Sequence, residues 1–162
     1  MVNGRTHTYR VELTWTGNRG TGTSGYRDYG RANELAAPGK EPIAGSADRV
    51  FFGDRSRWNP EELVVAALAQ CHLLSYLHVC TEHGVVVTDY TDTPTGTMAE
   101  DGAGGGAFTE VVLRPVVTVA EESMREPARQ LHGPAGQRCF VAASVSFPVR
   151  HEPLVRVRQP GD

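Results

Sequence analysis

The sequence predicts an α+β fold that contains one long apolar helix. Three observations support this prediction: apolar and polar residues alternate near both ends of the chain, one apolar segment has strong helix boundaries, and glycine- and proline-rich breaks separate the other segments. The order of elements has no βαβ alternation and no internal repeat. We expect a single domain over residues 1–162, with N-terminal strands in 6–58, the central helix at 59–83, and C-terminal strands and short helices in 85–158.

The N-terminal third is predicted to contain short strands. Residues 8–15 alternate between apolar and polar side chains, which is typical of a half-buried strand. Residues 16–20 then favour a hairpin turn, and a weaker second strand over 21–29 would pair back on the first. The following segment is polar and irregular, so we predict only short strands at 33–36 and 49–52.

The central segment has strong signals for both ends of a helix. Asn59 is a suitable N-cap, Pro60 favours the first helical position, and two glutamates then face the positive end of the helix dipole. Gly84 is suited to a left-handed stop. The roughly 24 residues between these signals would extend about 36 Å and are apolar on nearly every side. Such a helix must be enclosed, either by a sheet or by a second copy of the chain.

The segment after the helix is predicted to form strands. Residues 85–98 begin with three valines and then alternate, and the glycine cluster at 102–106 is typical of a hairpin loop. Residues 108–119 predict one long strand, in which Pro115 favours a sheet edge or a bulge.

The last quarter is predicted to contain short helices and a final strand. A short helix is expected over 121–131, glycines and a proline at 133–136 interrupt it, and a further helical turn is expected at 138–143. The alternation at 145–149 predicts the final strand, with a continuation at 155–157.

Composition argues against several functional classes. The 162 residues include 16 basic and 19 acidic side chains, a net charge of -3 without blocks of like charge, so the electrostatic footprint of a nucleic-acid-binding protein is missing. No run approaches the ~18 uninterrupted apolar residues of a membrane span, and the polar first ten residues do not form a signal-peptide core. We therefore expect a cytoplasmic protein with neither a nucleic-acid nor a membrane partner.

The three cysteines are too few for a disulfide scaffold. Cys71 lies in the middle of the predicted helix, and Cys139 starts a helical turn directly after Arg138, where the dipole and the guanidinium favour a thiolate. Cys80, nine residues after Cys71, falls on the opposite side of the helix and is interpreted as a buried structural thiol. On these residues alone, Cys71 and Cys139 are either reactive thiols or small core side chains.

Histidines on the same helix suggest metal binding as another possibility. His72, His78 and His83 lie near Cys80, but the segment contains no paired ligand motif such as Cys-x-x-Cys or His-Glu-x-x-His. A metal-binding module therefore remains an alternative, and we expect no metal and no organic cofactor.

Two motifs are specific in combination. An Asn-Pro-Glu-Glu-Leu helix start at 59–63 is followed by Ala-Ala-Leu-Ala-Gln-Cys at 66–71, and Cys-Phe-Val-Ala-Ala-Ser-Val occupies 139–145. Together they resemble the OsmC/Ohr family (osmotically inducible protein C and organic hydroperoxide resistance), and the resemblance extends to about Pro153. It implies an OsmC-like fold with antiparallel sheets wrapped around the long central helix, and an intertwined homodimer with active sites at the subunit interface.

The resemblance also implies a peroxidase reaction at two cysteines. Cys71 matches the cysteine that attacks an organic hydroperoxide, and Cys139 matches the resolving cysteine. Attack by a thiolate gives an alcohol and a sulfenic acid, which the second thiol converts to a disulfide before further oxidation. An external dithiol, for which a lipoylated protein is a candidate, would restore both thiols.

The family also uses a carboxylate and an arginine beside the attacking cysteine. Glu61 matches the carboxylate, which can hold a guanidinium in a bidentate contact. Arg19 fits best the place of the N-terminal arginine, and Arg27 and Arg49 are alternatives because insertions in residues 20–58 blur the register.

The spacing of Glu61 and Cys71 raises the question of which subunit provides the carboxylate. Ten residues of straight helix separate the two by roughly 15 Å, too far for direct contact. We hypothesise that Glu61 of one subunit serves Cys71 of the other. A non-catalytic dimer that binds a small apolar ligand or senses redox state is the alternative function, although such a module has no use for a resolving thiol.

Overall fold

The chain forms nine strands and three α-helices within residues 4–159, the part that the computed structural model describes. It divides into two compact units between Leu63 and Val64. The first contains a small sheet and the first turn of the long helix, and the second contains the rest of that helix, two sheets and two short helices. That the whole chain is one domain stays a prediction.

The sheet of the first unit has three antiparallel strands. Strand β1 (Glu12–Trp15) pairs with β2 (Asn33–Ala36), and β2 pairs with β3 (Ile43–Gly45). The predicted strand at 33–36 is confirmed. The first strand is shorter than the predicted one, and no sequence pattern predicted β3.

The predicted strand at 21–29 is wrong, because this segment forms a series of turns. The Asn18 side chain accepts hydrogen bonds from the backbone N–H groups of Gly20 (2.8 Å) and Gly22 (3.1 Å). Such local bonds satisfy the backbone and compete with strand pairing.

The predicted strand at 49–52 is also wrong, because Arg49–Phe51 is a turn of 3₁₀ helix. The Asp48 side chain accepts a hydrogen bond from the Val50 N–H group at 2.9 Å and caps the turn. Phe52 ends it with a φ angle of 62°, in the left-handed region that bulky residues rarely occupy.

The long helix α1 extends from Pro60 to Glu82 and confirms the predicted segment. A reciprocal capping box begins it: the Asn59 side chain accepts a hydrogen bond from the Glu62 N–H group (2.7 Å), and the Glu62 carboxylate accepts one from the Asn59 N–H group (3.2 Å). Gly84 follows the helix with a φ angle of 68°, as the left-handed stop requires.

Within this chain, α1 buries only one side. Leu74 and Leu77 remain 62% and 37% exposed, so the predicted enclosure on every side is not found in the single chain. By length and composition alone α1 could cross a membrane, a property that core helices of soluble proteins share. The buried residues of α1 recur every three or four positions apart from the adjacent last pair, as expected of one helix face: Leu68, His72, Tyr76, Val79 and Cys80.

Two three-stranded sheets form the second unit. Their six strands are β4 (Val87–Asp92), β5 (Thr95–Glu100), β6 (Gly106–Leu113), β7 (Pro115–Val119), β8 (Val149–His151) and β9 (Leu154–Val157). The orders are β4-β7-β9 and β5-β6-β8, with antiparallel pairing within β4–β7 and β5–β6 and parallel pairing within β7–β9 and β6–β8. The expectation of antiparallel sheets is therefore corrected to mixed sheets, because the chain returns to β8 and β9 through a crossover long enough for parallel pairing.

The long strand predicted over 108–119 is two strands in different sheets. Between β6 and β7, the Arg114 N–H group leaves the ladder and donates a hydrogen bond to Asp92 Oδ1 at 2.7 Å. Pro115, which lacks an N–H group, occupies the first position of β7, where a proline is tolerated. The predicted glycine loop is confirmed as the turn between β5 and β6.

The last quarter contains two short helices, α2 (Arg125–Gln130) and α3 (His132–Gln137). Helix α3 covers the predicted break at 133–136: Pro134 lies in its first turn, where a missing N–H group costs little. The predicted final strand is also displaced, since only its last residue, Val149, belongs to β8. Val145 and Phe147 pack against an apolar cluster instead.

Two apolar clusters lie along α1 in the second unit. One surrounds Leu68 together with Val111 and Leu113 of β6. The other surrounds Tyr76, whose hydroxyl group donates a hydrogen bond to the Ala128 carbonyl oxygen at 2.9 Å. Along α1, Cys71 lies between Leu68 of the first cluster and Tyr76 of the second.

Candidate active site

The structure brings Cys71 and Cys139 together although 68 residues separate them. The two thiols lie close enough for Cys71 to affect the pKa of Cys139, and both are free. Cys71 is half-buried, whereas Cys139 is only 2% exposed. Cys71 is therefore accessible from solvent, whereas Cys139 is not.

The two thiols differ in their environment. Burial, and next the hydrogen bond with Cys71, raise the pKa of Cys139 to about 11. Cys139 is therefore a protonated thiol at neutral pH.

The backbone around Cys139 fixes the position of its sulfur. The Ala142 N–H group donates to Cys139 Sγ at 3.3 Å, and the Ala143 N–H group donates to the Cys139 carbonyl oxygen at 3.0 Å. The predicted helical turn is correct in part: the 3₁₀ turn covers Ala142–Ser144, and Cys139 precedes it in the connection from α3.

An open pocket of about 650 Å³ lies at Cys71. Its apolar wall includes Leu74 and Phe140, whose side chains are 62% and 83% exposed. Its polar wall includes Ser75, His78, Gln137 and Arg138. Pockets of this size accept small organic ligands, and the apolar wall suits an alkyl or aryl group.

An ion-pair network borders this pocket, and the sequence did not single it out. Arg138 Nη1 lies 2.5 Å from Glu82 Oε2, and His78 Nε2 lies 3.2 Å from Glu82 Oε1. Arg138 lowers the pKa of Glu82, chiefly through their hydrogen bond. The network holds the Arg138 guanidinium at the pocket wall. The sequence analysis had noted Arg138 only as the residue before Cys139.

Three histidines form a stacked cluster that includes His72, the residue after Cys71 in the sequence. The rings of His72 and His132 are stacked, with Nε2 and Nδ1 2.9 Å apart, and His151 stacks on His72 at 4.2 Å between ring centroids. His72 Nδ1 and His132 Nε2 are buried without a hydrogen-bond partner among residues 4–159.

The described residues contain no group of three His, Cys, Asp or Glu side chains that could hold a metal ion. The three histidines considered for a metal-binding module have different surroundings. His72 is buried, His78 pairs with Glu82, and His83 Nδ1 lies 2.8 Å from the Val79 carbonyl oxygen. Cys80 is 1% exposed, and burial raises its pKa, as expected of a structural thiol.

The histidine cluster predicts loss of stability in acid. Burial first, and then neighbouring histidines, lower the pKa of His72 to about 3 and that of His132 to about 4. Below pH ~6.5 the unfolded chain therefore binds protons that the folded chain does not, and the unfolding free energy falls by about 2–3 kcal/mol from His72 alone by pH ~4.5. Urea unfolding at several pH values measures this slope.

The matched variants are His72→Leu and His7→Gln, since His7 is exposed. His72→Leu should reduce the pH dependence of the unfolding free energy between pH ~6.5 and ~4.5 by the contribution of one histidine, since His132 keeps its own, and His7→Gln should leave it unchanged. Equal slopes for the native chain and His72→Leu would show that this cluster does not control acid stability.

Glu61 and Arg19, the other two residues that the resemblance assigned, lie in the first unit. Glu61 Oε2 is buried without a hydrogen-bond partner among residues 4–159. Arg19 donates from Nη1 to the Arg27 carbonyl oxygen at 3.3 Å, and no ion pair joins it to Glu61 within the described part of the chain. The roles of Glu61 and Arg19, and the alternatives Arg27 and Arg49, stay predictions.

Comparison with known proteins gives the family. Residues 53–153, which contain α1 and both cysteines of the pair, match the family of OsmC-like proteins. The chain belongs to this family. No curated protein sequence matches this OsmC-like protein.

Solved structures support the same conclusion. An OsmC-like protein of unknown function from Vibrio cholerae is 28% identical, with a TM-score of 0.79 over 92% of this chain and 100% of that one. Organic hydroperoxide resistance proteins from Elizabethkingia anophelis and Legionella pneumophila are each 18% identical over 95% of this chain and 100% of theirs, with TM-scores of 0.66 and 0.68. At such identity these two show that the OsmC-like protein shares their fold.

Proposed function

We propose that this OsmC-like protein is a thiol-dependent peroxidase that reduces organic hydroperoxides to alcohols. The observation that supports it most is that Cys71, at a pocket with an apolar wall, has the buried thiol of Cys139 as a neighbour. The two named relatives from Elizabethkingia and Legionella are organic hydroperoxide resistance proteins and make this chemistry a natural choice.

The reaction begins at Cys71. Its thiolate attacks the terminal peroxide oxygen, the O–O bond breaks, and the leaving alkoxide takes a proton to become the alcohol. Cys71 is then a sulfenic acid. The Cys139 sulfur attacks it, an S–S bond forms, and the hydroxyl group leaves as water with the Cys139 proton.

An external dithiol returns the protein to its reduced state. Its thiolate opens the Cys71–Cys139 disulfide through a mixed disulfide, and its second thiol closes on the first. A lipoylated protein would supply such a dithiol. A reducing cytoplasm is the compartment in which this cycle would operate.

The direct test is a multiple-turnover assay with cumene hydroperoxide, with dithiothreitol or dihydrolipoamide as the reductant. We expect one cumyl alcohol for each dithiol oxidised, at a rate proportional to protein concentration. Consumption no faster than the protein-free background would contradict the peroxidase and favour the non-catalytic binding module.

The Cys71 pocket predicts a preference for bulky peroxides. Because Phe140 forms an apolar wall, Phe140→Ala should raise KM for cumene hydroperoxide about 10-fold and leave the reaction with hydrogen peroxide unchanged. The matched control is Val86→Ala, an exposed apolar residue that does not line this pocket. An unchanged KM in Phe140→Ala would show that Phe140 does not contact the bulky group of the peroxide.

We also propose that the active protein is a homodimer. Side chains that alternate along and before β1 are exposed although they are large and apolar: Tyr9, Val11, Leu13 and Trp15, at 87%, 61%, 69% and 43%. Leu74 and Leu77 of α1 are exposed as well, and large exposed apolar side chains in groups are typical of protein interfaces. A second copy would cover these faces, and sedimentation analysis would measure the mass.

The dimer would let Glu61 and Arg19 of one subunit serve Cys71 of the other. Along the continuous helix α1, Glu61 lies roughly 15 Å from Cys71, and its buried Oε2 has no partner among residues 4–159. A guanidinium held by this carboxylate would favour the Cys71 thiolate across the interface.

Mixed subunits test the arrangement between copies. Refolding Glu61→Ala chains together with Cys71→Ser chains would create dimers in which one site has both an intact Glu61 and an intact Cys71. We expect such mixtures to regain activity that neither parent variant shows. If the mixtures stay inactive, the carboxylate acts within its own chain or not at all.

A further inference from the structure

A second pocket, of about 530 Å³, lies entirely within the first unit and contains none of the cysteines. Apart from Gly53, all of its lining precedes the residues that match the OsmC-like family. It is therefore a feature of this chain outside the matched segment. Its lining is basic and aromatic: Arg19, Arg27, Tyr29, Arg31, Arg49, Phe52 and Gly53.

The charge of this pocket is unbalanced. Seven arginines elsewhere in residues 4–159 form ion pairs with carboxylates, namely Arg10, Arg57, Arg114, Arg125, Arg129, Arg138 and Arg150. None of the four pocket arginines does so within the same described residues. Four guanidinium groups thus line one concave surface in a chain whose net charge is -3. Such a surface attracts an anion.

Arg31 is held in place by the pocket itself. Its Nη1 and Nη2 atoms donate to the carbonyl oxygens of Tyr29 (2.6 Å) and Tyr26 (2.7 Å). Its guanidinium lies over the rings of the same two tyrosines, 4.2 and 4.5 Å from their centroids. The positive charge is therefore preorganised, while Arg27 and Arg49 remain exposed and able to contact a ligand.

Phe52 contributes an aromatic face at a strained position. It is the one non-glycine residue with a positive φ angle among residues 4–159, at 62°. Its ring lies 5.0 Å from the Arg27 guanidinium carbon and is 47% exposed. Backbone strain of this kind persists where the surrounding structure enforces it and is concentrated at ligand sites.

We propose that this pocket binds an organic anion whose carboxylate or phosphate group meets Arg27 and Arg49 and whose flat apolar body lies against Phe52. Arginine forks match both oxyanions in geometry. The pocket volume suits a ligand of one or two rings. No cysteine lines this pocket, and its ligand binding needs no peroxide and no redox step.

Calorimetric titration of the reduced full-length protein, without peroxide, tests the site with 2-naphthoate, 2-naphthyl phosphate, neutral 2-naphthol and inorganic phosphate. We expect both naphthyl anions to bind at least ~10-fold more tightly than 2-naphthol or inorganic phosphate. The tighter of the two anions identifies the oxyanion that the site prefers. Equal binding of 2-naphthol and the anions, or no binding of either anion, would overturn the proposal.

Substitutions in the arginine-lined pocket test whether the anions bind there. The double variant Arg27→Gln, Arg49→Gln should weaken anion binding by about 10-fold or more, and Phe52→Leu should weaken the naphthyl anions but not inorganic phosphate. Arg55→Gln, which removes an arginine outside the pocket in the same unit, is the control and should bind as the native chain does. Binding that survives the double variant but is lost in Phe140→Ala would place the probe at the Cys71 pocket and overturn the proposal.

Discussion

Cys71→Ser is expected to abolish hydroperoxide reduction, lowering the turnover number by at least about 1,000-fold. The hydroxyl group of serine is not ionised at neutral pH and cannot replace the thiolate that attacks the O–O bond. Because Cys71 is half-buried and serine has a similar size, the fold should be retained. The multiple-turnover assay with cumene hydroperoxide measures the loss, and circular dichroism checks the fold.

The matched control for this variant is Cys80→Ala. Cys80 is on the same helix, is 1% exposed, and packs in the apolar cluster around Tyr76. Its removal should cost some stability and leave the turnover number unchanged. Full activity in Cys71→Ser, or equal loss in both variants, would be incompatible with Cys71 as the attacking residue.

Cys139→Ser is expected to permit one turnover and then stop. Without the neighbouring thiol, the Cys71 sulfenic acid cannot form the internal disulfide, and further peroxide oxidises it to sulfinic acid. A burst of one alcohol per chain should therefore precede inactivation. Mass spectrometry of the peptide that contains Cys71 should show the addition of two oxygen atoms.

The reductant must be chosen with care in this second experiment. A dithiol can reduce a sulfenic acid directly, so no reductant is added: the first equivalent of hydroperoxide gives the burst of one alcohol, and a second equivalent oxidises the sulfenic acid to sulfinic acid. Sustained turnover of Cys139→Ser at the native rate would contradict the resolving role of Cys139.

The sequence predicted α1 well because its boundaries depend on local chemistry. Asn59 and Glu62 form their capping box between neighbours, and Gly84 ends the helix through its own backbone freedom. The OsmC-like family was also predictable, since its two motifs lie within short segments of the chain.

Strand boundaries were harder to predict because they depend on pairing with distant segments. The strand-like composition of 108–119 continues on both sides of Arg114, and only the hydrogen bond to Asp92, 22 residues away, shows where the strand breaks. The parallel partners β8 and β9 likewise take their places from a long crossover. Local propensity does not contain that information.

The sequence singled out the two cysteines but not their surroundings. Cys71 and Cys139 belong to recognisable motifs, and the structure places their thiols near each other. Arg138 and Phe140 flank Cys139 in the sequence, but only folding shows that both line the Cys71 pocket. The stacking of His132 on His72 joins segments 60 residues apart, and no sequence signal indicated it.

Peptide mapping after a single oxidation tests the central claim most directly. The fully reduced protein receives one equivalent of cumene hydroperoxide. The cysteines that remain as thiols are then alkylated, and the cysteine peptides are identified by mass spectrometry. The account predicts a Cys71–Cys139 disulfide, one equivalent of cumyl alcohol and an alkylated Cys80. Alkylated thiols at both Cys71 and Cys139, with the hydroperoxide unconsumed, would contradict it.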